Sequence, residues 1–140
     1  MPSFVVGVDV GGTKIKAGAV GVGPDGVSRR VVAGRHIATP RAAPPAFYDA
    51  IAALVAAVRA EAQAIGRILP VVAVAHPGRF LADGSLARGT TPNLGAAPGQ
   101  FDGVRPAQEL ARRIGIDGFA ENDAIAQMRF GLDALLRDAT

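Results

Sequence analysis

Four short groups of residues have the side chains and spacing to do chemistry. In the first, Asp9 precedes Gly11-Gly12-Thr13-Lys14, a tight polar turn between two apolar segments. Backbone N–H groups, a hydroxyl and an ammonium at such a tip can hold an anion such as a phosphate. A carboxylate in an otherwise apolar strand is costly unless it meets a cation or strong donors. Beside a phosphate loop, the natural partner of Asp9 is hydrated Mg²⁺. The plainer alternative is an ordinary Gly-Gly hairpin with an exposed lysine. The second group is Glu121-Asn122-Asp123-Ala124, where Asn and Asp would also serve as helix caps. The third, His76-Pro77-Gly78-Arg79, closes a short apolar run. The fourth is Thr91-Pro92-Asn93-Leu94, in which Pro-Asn favours a turn.

The elements around these groups exclude two common nucleotide loops. Residues 5–10 and 15–19 read as two strands, so the glycines join strand to strand. The Gly-x-x-x-x-Gly-Lys-Ser/Thr loop should open a helix, and so should the dinucleotide fingerprint. A turn at Pro24-Asp25-Gly26 leads into a third extended segment, 27–38. After a Pro/Ala linker, Pro45 suits a first helical turn. Phe47, Ile51, Leu54, Val55, Val58, Ala62 and Ile65 then recur at helical spacing, with Gly66 as the stop. Residues 71–75 read as a strand buried on both faces. A small hairpin is expected around Asp83-Gly84, and a long Gly/Pro-rich loop over 89–99. A second helix over 105–114, a short strand over 118–121 and a last helix over 124–137 complete the chain.

The predicted order is β-β-β-α-β-α-β-α. Three antiparallel strands followed by βαβ crossovers form the ribonuclease-H-like, actin-like pattern, with the first strand central in a mixed sheet. Ligands of such sheets bind beyond the carboxyl ends of the strands. Asp9, His76-Pro77-Gly78 and Asn122-Asp123 all fall at carboxyl ends, so one sheet would bring them to one edge.

With this topology, Asp9-Val10-Gly11-Gly12-Thr13-Lys14 resembles the first phosphate loop of the actin-like ATPases, and its wording resembles the ROK family of sugar kinases and sugar-sensing repressors. The resemblance implies that Asp9 positions Mg²⁺ through water and that Gly11, Gly12, Thr13 and Lys14 face the phosphates of ATP. Glu121-Asn122-Asp123-Ala124 resembles the ROK sugar motif, which makes Asn122 a sugar ligand and Asp123 the catalytic base. Thr91-Pro92-Asn93-Leu94 resembles the segment that brings a second asparagine, Asn93, to the sugar. Ala75-His76-Pro77-Gly78-Arg79 resembles the Gly-x-Pro-Gly loop, whose backbone approaches the sugar at Gly78. Arg79 would touch the substrate or lie on the rim, and His76 reads as a satisfied strand-end histidine rather than a catalytic one. Two features depart from the family. Ile125 stands where a second asparagine is usual. The Glu/His part of the sugar site, the Cys-rich zinc motif and the Gly-rich adenosine site belong to a second lobe and have no counterpart in residues 1–140.

Composition sets bounds on this reading. The chain has 140 residues, 49% of them hydrophobic, which is one domain with a real core and little tendency to disorder. No apolar run is long enough to span a bilayer, and the start lacks a signal peptide. A cytoplasmic protein is expected, and the absence of cysteine is in keeping with it. The net charge of +3 comes from scattered arginines, so no nucleic-acid or membrane partner is expected. The expected function is ATP-dependent phosphorylation of a hexose. Residues 1–140 would be the N-terminal lobe, and the full-length form a homodimer. Three rivals remain. A sugar-sensing repressor would carry a helix-turn-helix ahead of the first loop, where only Met1–Phe4 stand. The others are a non-enzymatic sugar-binding domain and another actin-like ATPase.

Overall fold

The computed structural model describes residues 2–22, 30–123 and 125. Five strands form one mixed sheet: β1 (Ser3–Val10), β2 (Lys14–Val22), β3 (Val31–Ala38), β4 (Arg67–His76) and β5 (Asp117–Asn122). Their spatial order is β3-β2-β1-β4-β5, so β1 is central as expected. β1 runs antiparallel to β2 and parallel to β4, and β5 is parallel to β4. This is the expected α/β architecture.

Strand alternation builds the core. Phe4, Val6, Val8 and Val10 of β1 point to one face and are buried. Ile15, Ala17 and Ala19 of β2 and Val72 and Val74 of β4 continue that face by register. Helix α1 (Pro44–Gln63) covers it with Phe47, Tyr48, Ile51, Leu54, Val55, Val58 and Ala62. Each fully buried side chain of this size contributes about 1.5–3 kcal/mol. Helix α2 (Pro106–Ile114) packs on α1 and β5 and ends at Gly115, whose left-handed conformation donates its N–H to Ala111 O. Arg113 ties the two helices together, bonding Asp49 at 2.7 Å and Glu109 at 2.6 Å.

Several boundaries differ from those expected, each for a local reason. β4 begins at Arg67 rather than Val71 and contains Pro70, which cannot donate to a ladder. The register with β1 shifts between Phe4↔Ile68 and Val6↔Val72, so the irregularity falls where Pro70 sits. Gly66 is not the residue that stops α1, whose cap is Ala64. Gly66 is instead a close-packing position, because a Cβ there would come within 2.4 Å of Pro2 O and 2.7 Å of the Phe4 ring. The hairpin around Asp83-Gly84 reduces to one bridge, Phe80↔Leu86. Its tip is fixed by Asp83, which accepts from the Ser85 N–H and hydroxyl and from Arg105. These donors hold the Asp83 carboxyl well below the usual carboxylate range. β3 pairs with β2 through an extra residue near Ala33, which has a positive φ of 57°. The turn expected at Pro24-Asp25-Gly26, residues 27–29 of the third segment and the final helix fall outside the described residues. Among those described, no helix is long and apolar enough to cross a membrane.

Candidate active site

The sheet register aligns the carboxyl ends of the three parallel strands. Asp9 lies opposite Ala75, Ala75 opposite Glu121, and His76 opposite Asn122. The chemistry-bearing residues therefore emerge at one edge. Gly12 of the β1–β2 turn, Pro77 after β4, Thr91 and Asn93 of the long loop, and Asp123 after β5 line one cleft of about 240 Å³. Arg79, Phe80, Asn122 and Ile125 line a separate recess of about 470 Å³. Of the residues singled out in sequence, Gly12, Asn93 and Asp123 thus share the cleft, while Asn122 and Arg79 face the recess. Asp9, Gly11, Thr13, Lys14 and Gly78 do not line the cleft itself.

The β1–β2 turn is closed by its own backbone. The Gly11 N–H donates to Lys14 O at 3.0 Å, and a Cβ on Gly11 would come within 2.7 Å of that oxygen. Gly12 differs, because a Cβ there would meet nothing within 4 Å. Gly11 makes the turn and Gly12 opens on space. Thr39, just past β3, straps the turn from outside, its hydroxyl donating to Gly11 O at 2.7 Å and its N–H to Thr13 O at 3.0 Å. Lys14 and Thr13 are exposed, and Asp9 is half-buried.

The segment after β4 is held more tightly. His76 is fully buried. Its Nδ1 lies 2.7 Å from Pro77 O, and its Nε2 lies 2.8 Å from the Tyr48 hydroxyl. A carbonyl can only accept, so Nδ1 carries the proton and Nε2 accepts from Tyr48. Burial pulls the His76 pKa down to about 4 and pushes the Tyr48 phenol up. His76 is therefore a neutral, satisfied histidine. Its ring stacks on Tyr48 and meets Phe47 and Phe80 edge-on. Gly78 follows with a φ of 100°, and a Cβ there would strike Thr91 Cγ2 at 2.7 Å and Leu86 Cδ2 at 2.9 Å. Its carbonyl accepts from Asn122 Nδ2 at 2.5 Å, linking the ends of β4 and β5.

The long loop is locked by internal bonds. Gln100 Oε1 accepts from the N–H groups of Ala96 and Ala97, Asp102 accepts from Gly89, and Thr90 Oγ1 bridges Ala87 O and the Arg79 N–H. Leu94 and Phe101 anchor it in the core. Asn93, exposed between Pro92 and Leu94, is thus carried on a fixed turn. Sequence reasoning missed Thr39, Tyr48 and Gln100. Tyr48 left a signal, since it stands three and seven residues before Ile51 and Val55 on the buried face of α1.

The open backbone at Gly12 is a surface a phosphate could approach. Among the described residues, no three His, Cys, Asp or Glu side chains gather to hold a metal. A single carboxylate at Asp9 suits Mg²⁺, which keeps most of its waters and binds through one or two carboxylates and substrate phosphates.

No family model matches the sequence, and no curated protein matches it. Solved structures do. A ROK hexokinase from Thermus thermophilus is 27% identical over 88% of this chain, with a TM-score of 0.69. A ROK glucokinase from Streptomyces griseus, solved with glucose and AMPPNP, is 27% identical over 91%, with a TM-score of 0.65. A ROK transcriptional regulator, a homologue of E. coli MLC, is 11% identical over 91%, with a TM-score of 0.63, and shows likeness of fold alone. The chain spans 36% and 37% of the two kinases' lengths and 31% of the regulator's. The chain thus carries the fold of one lobe of the ROK sugar kinases, an actin-like ATPase N-terminal lobe.

Proposed function

We propose that this chain is the N-terminal lobe of an ATP-dependent, ROK-type hexose kinase. The observation that carries the reading is the cleft in which Gly12, Asn93 and Asp123 meet. Each comes from a different group singled out by its chemistry, and successive members stand 81 and 30 residues apart in sequence. Asn93 orients a sugar hydroxyl, and Asp123 accepts its proton as the oxygen attacks the terminal phosphoryl group of ATP. General-base help of this kind is worth roughly 10²–10⁴ in rate. The turn from Gly11 to Lys14 faces the phosphates with backbone N–H groups and an ammonium. Asp9 would hold Mg²⁺ through water, and that ion would neutralise charge on the phosphates. Most of the remaining catalysis is positioning and charge stabilisation. Asn122 and Arg79, which line the neighbouring recess, would join the sugar site from beyond the cleft, with the Gly78 backbone between.

The cleft's volume of about 240 Å³ falls below the roughly 300–1,000 Å³ of pockets that enclose a small ligand. This fits half a site, with a second lobe supplying the other wall and the adenosine pocket. Cytoplasmic location and a dimeric full-length protein belong to the same proposal. A second reading, a sugar sensor without catalysis, draws on the regulator that shares the fold. Sugar-dependent ADP release by a protein carrying both lobes separates the two. Asp123→Asn in that protein keeps the size of the side chain and removes its basicity, and should lower the rate at least about a hundredfold. Near-parental phosphorylation by this variant would remove Asp123 from the role of base.

A further inference from the structure

The Tyr48–His76 pair has no part in the chemistry above, yet it ends on the backbone that borders the cleft. Tyr48 comes from α1, the helix that covers the core face of the sheet. Its hydroxyl fixes the imidazole from one side, and the imidazole fixes Pro77 O from the other, at 2.8 and 2.7 Å. Pro77 lines the cleft with Gly12 and Asp123. The next carbonyl, Gly78 O, is the one that takes the Asn122 amide. Both Tyr48 and His76 are fully buried, so water does not compete for the bond between them, while Pro77 at the far end is half-buried at the cleft. We propose that His76, anchored by Tyr48, is a positioning residue that sets the orientation of the Pro77–Gly78 peptide and, through it, the side chain of Asn122 beside the base.

The geometry makes the two ring nitrogens unequal, and amide side chains can imitate them one at a time. The asparagine of His76→Asn would offer an N–H at the place of Nδ1 and lose Tyr48. The glutamine of His76→Gln would keep an acceptor toward Tyr48 and lose the donor to Pro77 O. A residue that merely fills the core would be replaced equally badly by both. A residue that positions the loop through Nδ1 would be rescued by His76→Asn and not by His76→Gln.

The first measurement needs no variant and no ligand. Long-range ¹⁵N–¹H correlation of the parent's imidazole should show the neutral form protonated at Nδ1, and protonation at Nε2 would overturn the proposal. The second follows the side-chain NH₂ signals of Asn122. They should move and exchange faster in His76→Gln and stay near their parental positions in His76→Asn. Unmoved signals in the Gln variant, or equal displacement in both, would overturn it as well. If one variant fails to fold, the other's Asn122 signals and the tautomer together still decide. The role in the sugar site rests on the function proposed above and is read separately. Hexose affinity should fall about tenfold in His76→Gln, the loss of one hydrogen bond, and recover in His76→Asn. These affinities are measured in a protein carrying both lobes, where absence of any hexose binding by the parent would count against the kinase reading while the two NMR results stand.

Discussion

The two glycines of the phosphate turn look alike in sequence and differ in what surrounds them. Gly11→Ala would drive a methyl into Lys14 O, 2.7 Å away in ideal geometry. It should lower stability by about 1–3 kcal/mol, the usual cost of a strained backbone site. Gly12→Ala meets nothing within 4 Å, and its φ is not positive. It should leave the melting temperature unchanged or slightly raised, as Gly→Ala does where the backbone tolerates it. If the turn holds phosphate, the added methyl occupies the space the phosphate needs. Nucleotide affinity of a two-lobed protein should then fall by about tenfold or more, roughly 1.4 kcal/mol. Melting curves and calorimetry on both variants would test the division, and Gly12→Ala with parental nucleotide affinity would sink it.

At the scale of elements, the join between α1 and the end of β4 makes stability depend on pH. His76 has a pKa of about 4 in the folded chain, against an ordinary value near 6.5. The unfolded chain therefore takes up a proton between pH 6.5 and 4 that the folded chain refuses. This contribution is fully present above pH 6.5 and is lost progressively as pH falls toward 4. The shift corresponds to about 3 kcal/mol. Urea titrations at pH 7 and pH 4.5 should show the loss, and His76→Asn should flatten it. That this join existed was not legible beforehand. The strands were, because β-branched alternation and glycine punctuation are local signals, and their order follows from short connections. The Tyr48–His76 bond spans 28 residues, as does the Thr39 strap on Gly11, and nothing local marks either. The shifted register around Pro70 escaped for the opposite reason. A proline argues against a central strand, and the fold overrides it with a bulge. Of the candidate site, the residues could be named from their wording, and the sheet register explains why the ends of β1, β4 and β5 fall at one edge. Their division between a cleft and a separate recess required the structure.

For the whole molecule, the proportion matters most. The chain covers little more than a third of the Thermus and Streptomyces kinases, and an enzyme of the proposed kind would work by closing two lobes on its substrates. If the second lobe contributes about half of the sugar's hydrogen bonds, two lost bonds to charged groups at roughly 1.5–3 kcal/mol each weaken affinity a hundredfold or more. Residues 1–140 alone should fold, bind hexose and ATP weakly at best, and release no ADP in response to sugar. Sugar-dependent turnover by this chain alone, abolished by Asp123→Asn, would show that one lobe suffices. The buried phenol also has an optical consequence. Tyr48 is the only tyrosine of the chain, which has no tryptophan, so near-ultraviolet fluorescence comes almost wholly from one ring. That ring donates a hydrogen bond to a neutral imidazole, an acceptor that opens a proton-transfer route for the excited state and dims emission. Emission should therefore be weak in the parent and rise in His76→Asn, which loses the Tyr48 contact, so steady-state fluorescence reads from a single site whether that contact beside the cleft wall holds.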